Sequence, residues 1–129
     1  HDALLAFVEE AQLDWCGFFR YSEEAGTYAA GLDGVVDPEL VVERLGELTE
    51  RQDAITAARR IDLVGRDVEV LVDRPGTGRT HREAPEIDGV VGVPEDLAVG
   101  TFHTVRVTDA IGPDLFAGAD VALARDGGR

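Results

Sequence analysis

The period of the hydrophobic pattern changes at Gly65, and this change limits what the chain can fold into. Before Gly65, apolar residues recur at intervals of three and four, as in Val41, Leu45 and Leu48, which is the spacing of one helix face. After it, valines alternate with other residues within positions 67–73, which is the spacing of a half-buried strand. The sequence therefore predicts a helical part followed by a β part.

The helical part contains two predicted helices with an apolar segment between them. Residues 3–13 carry a repeating apolar face. Asp37-Pro38-Glu39 starts the second helix, because aspartate can cap the first turn and proline suits the first helical position; the pattern continues to about residue 62. Between the helices, Trp15 to Tyr21 is short, aromatic and almost wholly apolar, which predicts a buried strand of a sheet covered on both faces, as in a βα barrel.

The β part predicts five short strands in about 60 residues. Each strand is half apolar, and a small sheet of this kind removes its exposed edges by closing into a barrel. The side chains expected in the barrel core are Val68, Val70, Val72, Val91, Val93, Val105, Val107, Leu115 and Phe116.

These patterns together predict an α+β chain. Residues 1–64 are expected to hold two helices and one strand of the βα-barrel type, with the neighbours of that strand missing from this chain. Residues 65–123 are expected to form a five-stranded antiparallel β-barrel, and residues 124–129 a disordered tail. Because a strand that is apolar on both faces needs neighbours, we expect the chain to be a piece of a longer protein. For the same reason we expect residues 1–62 to self-associate, exchange between chains or pack on their own barrel.

The charge balance favours some partners over others. The chain has 26 acidic and 12 basic residues, for a net charge of −14, so nucleic acid is disfavoured as a partner and a basic protein is favoured. The alternative is that the acidity only keeps the chain in solution. No apolar run is long enough to span a bilayer, and the single cysteine, Cys16, excludes an internal disulfide and suggests a reducing, cytoplasmic environment.

The segment from Gly78 to Val91 is the most distinctive part of the chain. It holds five charged side chains, a histidine and Pro85 within fourteen residues, so it cannot be a buried strand. The sequence predicts a surface hairpin that presents Glu83, Glu86 and Asp88 to a partner, with Arg79 and Arg82 pairing with these acids. The alternative is an ordinary solvated loop.

The same segment, Gly-Arg-Thr-His-Arg-Glu-Ala-Pro-Glu-Ile-Asp-Gly over 78–89, resembles the TRAM-domain signature of the RimO family. These are radical-SAM methylthiotransferases that modify an aspartate of small-subunit ribosomal protein twelve. The related tRNA-modifying enzymes usually carry an asparagine and basic residues after the shared Gly-Arg-Thr. The resemblance implies an OB-like barrel, a basic ribosomal protein as partner, and a substrate-binding set of Arg79, His81, Arg82, Glu83, Glu86 and Asp88.

A second resemblance lies in the helical part. The segment from Tyr21 to Ala29 is similar to the Tyr-Ser-x-x-x-Gly-Thr-x-Ala segment that closes the radical-SAM barrel of methylthiotransferases. This similarity implies that residues 1–64 are the C-terminal remnant of the radical-SAM barrel, with a long helix that links it to the TRAM domain. It also implies that Tyr21, Ser22, Glu24, Gly26 and Thr27 lie near the S-adenosylmethionine pocket of the intact enzyme. The alternative is a turn stabilised by its serine, glycine and threonine.

The resemblance implies two [4Fe-4S] clusters and S-adenosylmethionine in the parent enzyme. This chain lacks the Cys-x-x-x-Cys-x-x-Cys ligand set, and one thiol cannot replace three. We therefore expect no cofactor, no metal site and no catalytic residue within this piece, and no activity from it in isolation.

Three functions remain open from the sequence. The first is docking of the basic protein substrate by the barrel. The second is RNA binding, as in the TRAM module of a tRNA methylthiotransferase, with phosphates held by Arg66, Arg74, Arg79, Arg82 and Arg106. The third is a scaffold with no partner of its own. The acidic character of the signature segment favours the first.

Overall fold

The structure is a computed structural model and describes residues 1–120 of the chain. The expected end of the last strand, at 121–123, and the expected tail lie outside the described residues. The chain forms two compact units, one up to Ile55 and one from Thr56 onward. The domain boundary expected after residue 64 stays a prediction.

The two long helices form where the sequence predicts them. Helix α1 spans Asp2–Ala11, and helix α2 spans Pro38–Ile61. The Asp37 carboxylate accepts hydrogen bonds from the backbone N–H groups of Glu39 (2.9 Å) and Leu40 (3.4 Å), which satisfies two amides that lack partners within the helix. Gly65 follows α2 with a φ of +80°, a left-handed conformation that favours glycine. No helix among residues 1–120 has both the length and the apolar character needed to cross a membrane.

The strand predicted at Trp15 to Tyr21 is wrong. This segment has no regular secondary structure, and Phe19 is 92% exposed. The physical reason is that a strand is held by a ladder of hydrogen bonds to a neighbour, and residues 1–55 contain no strand with which this segment could pair. An apolar sequence alone does not supply that partner.

The β part forms a closed barrel, as predicted. Its five strands are joined in the order β1-β2-β3-β5-β4, which returns to β1. Neighbouring strands are antiparallel except β3 and β5, which are parallel, so the expectation of an all-antiparallel barrel is wrong at this one pairing. The strands are β1 Asp67–Arg74, β2 Thr77–Arg79, β3 Val91–Gly92, β4 Phe102–Ile111 and β5 Asp114–Asp120.

The barrel core matches the prediction with two differences. The alternating valines of β1 and β4 point inward, and eight of the nine expected residues are buried. Leu63 joins them from the turn after α2. Phe116, also expected in the core, is 41% exposed, because it follows the fully buried Leu115 and neighbouring strand residues point to opposite sides.

Candidate functional site

The signature segment forms a loop between β2 and β3. We call residues 80–90 the acidic loop. The two strands pair Thr77 with Gly92 and Gly78 with Val91. Strand β2 ends at Arg79, and the chain from Thr80 to Val90 consists of turns and irregular backbone. Gly78 is required at the loop base, because a Cβ there would lie 2.5 Å from the Leu71 carbonyl oxygen.

Glu83 does not face solvent, and its predicted role as a surface contact is wrong. Its side chain is 1% exposed. One carboxylate oxygen accepts a hydrogen bond from Arg60 Nη2, and the other accepts bonds from the Thr80 backbone N–H (2.5 Å) and the Thr80 hydroxyl (2.8 Å). A buried charge is tolerated only when it is paired and hydrogen-bonded, and this carboxylate is both.

Arg60 connects three parts of the barrel unit. It lies in the last turn of α2 and is also 1% exposed. Its guanidinium bonds Glu83 in the acidic loop, and its Nε donates to the Pro113 carbonyl oxygen (3.0 Å) in the turn between β4 and β5. The buried Arg60–Glu83 pair therefore fixes the base of the acidic loop to the end of the helix and to a neighbouring turn.

The rest of the acidic loop is braced by short polar contacts. The Asp88 carboxylate accepts a hydrogen bond from the Ala84 backbone N–H (2.7 Å) across the loop. The Asp114 carboxylate accepts one from the Val90 N–H (2.9 Å). Asp88 is half-buried, and one of its carboxylate oxygens is engaged within the loop.

The tip of the loop is exposed. Glu86 is exposed and has a φ of +62°, and the neighbouring Ile87 is 83% exposed. Of the three predicted acidic contacts, Glu86 is the one whose carboxylate makes no hydrogen bond or ion pair with any of the described residues. The tip thus combines one open carboxylate with one large apolar side chain.

The basic residues of the predicted set are arranged differently from the expectation. Arg79 pairs with Asp73 of β1, with 2.9 Å between Nη1 and Oδ1, so the predicted pairing of Arg79 with the loop acids is wrong. The Arg82 backbone N–H donates to the Thr80 hydroxyl (3.1 Å). The His81 side chain is exposed beside the loop base.

The barrel wall holds a further ion pair. Arg106 of β4 donates two hydrogen bonds to Asp67 of β1, from Nε (2.8 Å) and Nη2 (3.0 Å). These hydrogen bonds, and then the negative charge of Asp67, raise the pKa of the Arg106 guanidinium above its ordinary value. Both Arg79 and Arg106 are therefore already engaged by carboxylates of the chain.

The residues predicted near an S-adenosylmethionine pocket are only partly brought together. Tyr21 and Ser22 line an open cleft of about 780 Å³ in the first unit, together with apolar residues such as Leu32 and Val41. The other three, Glu24, Gly26 and Thr27, do not line it. They form a turn in which the Thr27 hydroxyl donates to the Glu24 carbonyl oxygen (2.8 Å), and Gly26 has a φ of +85°.

The described residues do not fit an iron–sulfur cluster or another metal centre. No group of three or more histidine, cysteine, aspartate or glutamate side chains lies close enough to hold an ion anywhere in residues 1–120. Cys16 is the chain's single thiol, whereas iron–sulfur clusters are held by several thiolates. No chemical step is therefore assigned to these residues.

Sequence reasoning missed Arg60 and Asp114. Arg60 follows Leu48, Gln52 and Thr56 at four-residue spacing, and all three are buried. An arginine that continues the buried stripe of a helix signals a buried charge, and hence a carboxylate partner elsewhere in the sequence. Nothing in the local sequence identifies Glu83 as that partner.

Comparison with known proteins places these features in a family context. The TRAM domain family model matches residues 64–119. The chain is similar to proteins named ribosomal protein uS12 methylthiotransferase RimO. It is 45% identical to that of Moorella thermoacetica, over 81% of this chain and 24% of the relative. It is 43% identical to that of Chloroflexus aurantiacus, over 91% and 28%, and 41% identical to that of Roseiflexus castenholzii, over 97% and 27%. The chain spans about a quarter of the length of these relatives.

Proposed function

Because the chain belongs to the RimO methylthiotransferase family, in which it corresponds to the C-terminal part with its TRAM domain, we propose that it is the substrate-docking part of a methylthiotransferase that acts on ribosomal protein uS12. The modified residue is an aspartate of that protein. The parent enzyme uses two [4Fe-4S] clusters and S-adenosylmethionine, all bound outside this chain, and the chain alone has no activity. Ribosomal substrates imply a cytoplasmic location.

The observation that carries the proposal is the construction of the acidic loop. Its base is held by the buried Arg60–Glu83 pair, and its tip exposes Glu86 and Ile87. A loop that is already ordered loses little conformational entropy when it binds. The exposed carboxylate suits a lysine or arginine of the partner, and the exposed isoleucine suits an apolar contact beside it.

The net charge of −14 supports the same partner. A negative surface attracts a basic protein over a distance of about one Debye length and raises its association rate. Once bound, the substrate is held near the catalytic part of the enzyme, which converts an encounter between two molecules into a positioned reaction. The chain contributes affinity and orientation, and the rest of the enzyme contributes the chemistry.

The charge arrangement argues against the alternative of RNA binding. Of the five arginines that would hold phosphates, Arg79 and Arg106 are paired with Asp73 and Asp67. Phosphate binding draws on positive charge that the protein itself does not neutralise. Only two aromatic residues, Phe102 and Phe116, occur after residue 64, so base stacking has few platforms.

The proposal is tested by charge reversal at the loop tip. Glu86→Lys should weaken binding of purified uS12 to this chain by about three- to tenfold at moderate salt, because an attraction becomes a repulsion. Asp96→Lys, at an exposed acid in the connection between β3 and β4, is the matched control for the change in net charge. Equal effects of the two variants would mean that net charge, and not the loop tip, determines binding, and unchanged affinity in Glu86→Lys would remove the proposal.

A further inference from the structure

Apart from the acidic loop, the outward-pointing side chains of β1, β2 and β4 form a second surface of the barrel. The register places Leu71 of β1 opposite Phe102 of β4 on one side and opposite Arg79 of β2 on the other. Inward-pointing residues alternate with these, and Val70 and Val72 are fully buried. Asp67, Glu69 and Leu71 of β1 therefore point outward and form, with their partners on β4 and β2, what we call the outer face. Asp73 lies at an irregularity of the β1–β2 ladder and joins this face through its ion pair with Arg79.

Phe102 is the exposed aromatic residue of this outer face. It is 65% exposed and is not a member of the buried core cluster, so the barrel does not need it for packing. It lies at the start of β4, against the half-buried Leu71. A single exposed apolar side chain is ordinary on a protein surface. The neighbouring side chains therefore determine whether Phe102 belongs to a binding site.

Three carboxylates of β1 share the outer face with Phe102, and they differ in their partners. Asp67 is held by Arg106, and Asp73 is held by Arg79. Glu69 lies opposite Thr104, which carries no charge, and Glu69 forms no ion pair with any residue in the described part of the chain. The outer face thus already contains two arginine–carboxylate pairs, with one exposed carboxylate left open between them.

Glu69 and Phe102 are diagonal neighbours in the β1–β4 ladder, since Glu69 faces Thr104 and Leu71 faces Phe102. Residues in this relation lie roughly 7–8 Å apart, with their Cβ atoms somewhat closer, which is within reach of a long side chain that contacts both. A guanidinium can stack on an aromatic ring through the attraction of a cation to the ring face, and its planar N–H groups match a carboxylate. A lysine ammonium has no plane with which to make both contacts at once. The face carries three carboxylates against two arginines, so a phosphate group would meet a net negative charge.

We propose that the outer face is a binding site for an arginine side chain of a basic polypeptide, with the guanidinium stacked on Phe102 and hydrogen-bonded to Glu69. This inference rests on the proposed function for the nature of the partner and names a second contact surface, apart from the acidic loop. The complementarity of charge commits the site to an arginine-bearing protein segment.

The test compares an arginine–glycine peptide with the same peptide containing lysine, titrated against the full chain. The site predicts tighter binding of the arginine peptide. Phe102→Leu keeps an apolar side chain but removes the aromatic face, so it should weaken binding of the arginine peptide by about three- to fivefold. The affinity for the arginine peptide should then be close to that for the lysine peptide. Phe102→Trp should retain or increase the preference, because tryptophan is the best partner for a cation. Glu69→Gln, made as a separate variant, should also lower the affinity for the arginine peptide, because it removes the negative charge that the guanidinium meets.

Ile111→Ala is the matched control, because Ile111 lies at the other end of β4 and is exposed to a similar extent. It should leave both peptides unaffected. The inference is overturned if Phe102→Leu keeps the preference for arginine, or if Ile111→Ala reduces binding equally. If purified uS12 binding is lost in Glu86→Lys but unchanged in Phe102→Leu, only the outer-face site fails; if uS12 does not bind the unmodified chain, the proposed function fails whatever the peptides do.

Discussion

Removing the Glu83 side chain should destabilise the barrel far more than removing an exposed acid. In Glu83→Ala, the guanidinium of Arg60 would remain almost fully buried without its counter-charge, and the Thr80 N–H and hydroxyl would lose their acceptor. Breaking a buried pair by removing one partner costs about 3–5 kcal/mol. A domain has only about 5–15 kcal/mol of stability, so this one side chain supports a large share of it.

The matched control is Asp73→Ala, which also removes a carboxylate from an arginine. The Asp73–Arg79 pair is partly exposed, so its loss should cost less than about 1 kcal/mol. A third variant, Arg60→Met combined with Glu83→Leu, removes both charges and leaves neither ion unpaired. It should be more stable than Glu83→Ala alone, since replacing a whole buried pair with apolar side chains is often neutral.

Hydrogen exchange of the amides in β1 and β4 measures the free energy of unfolding of the barrel unit by itself. The Glu83→Ala variant should lower it by about 3–5 kcal/mol, and the acidic loop should exchange faster than in the unmodified protein. A loss in Glu83→Ala no greater than that in Asp73→Ala would refute the view that the buried pair holds the loop.

Three further predictions concern the barrel, the start of α2 and the exposed segment around Phe19. Gly89→Ala should lower the melting temperature of the barrel, because the added Cβ would collide with the Pro113 carbonyl group; thermal unfolding followed by circular dichroism checks this, and no change would contradict it. Asp37→Ala should cost about 1 kcal/mol of helix stability, measured as lost helicity, because two amides at the start of α2 lose their acceptor; Asp33→Ala, at an exposed acid that forms no cap, is its control. Self-association through residues 1–62 should appear as dimers or larger species in light scattering and be reduced by Phe19→Glu, since Phe19 is largely exposed; a monomer at all concentrations would contradict it.

The fold follows from local sequence where a pattern repeats. The alternation of faces along a strand places the valines of β1 and β4 in the core, and they are buried. The start of α2 follows from Asp37 and Pro38, because the capping group and the constrained φ act within a few residues. Gly65 marks the end of the helical period for the same local reason.

The parts that sequence reasoning missed depend on contacts between distant residues. An acid within a charged segment is usually solvated, which predicts Glu83 on the surface. Glu83 is buried instead, because Arg60, 23 residues earlier in the sequence, pairs with it inside the barrel unit. The segment around Phe19 has the composition of a strand, yet composition cannot supply the neighbour that a strand needs. The parallel pairing of Val91 with Leu115 likewise joins strands that are far apart in the sequence.

The measurement that tests the central claim most directly is a titration of this chain with purified ribosomal protein uS12 and, separately, with tRNA, each at low and moderate salt. The account predicts that uS12 binds, that Glu86→Lys weakens this binding, and that tRNA binds weakly or not at all at either salt concentration. Tight binding of tRNA by a chain that ignores uS12 would contradict it.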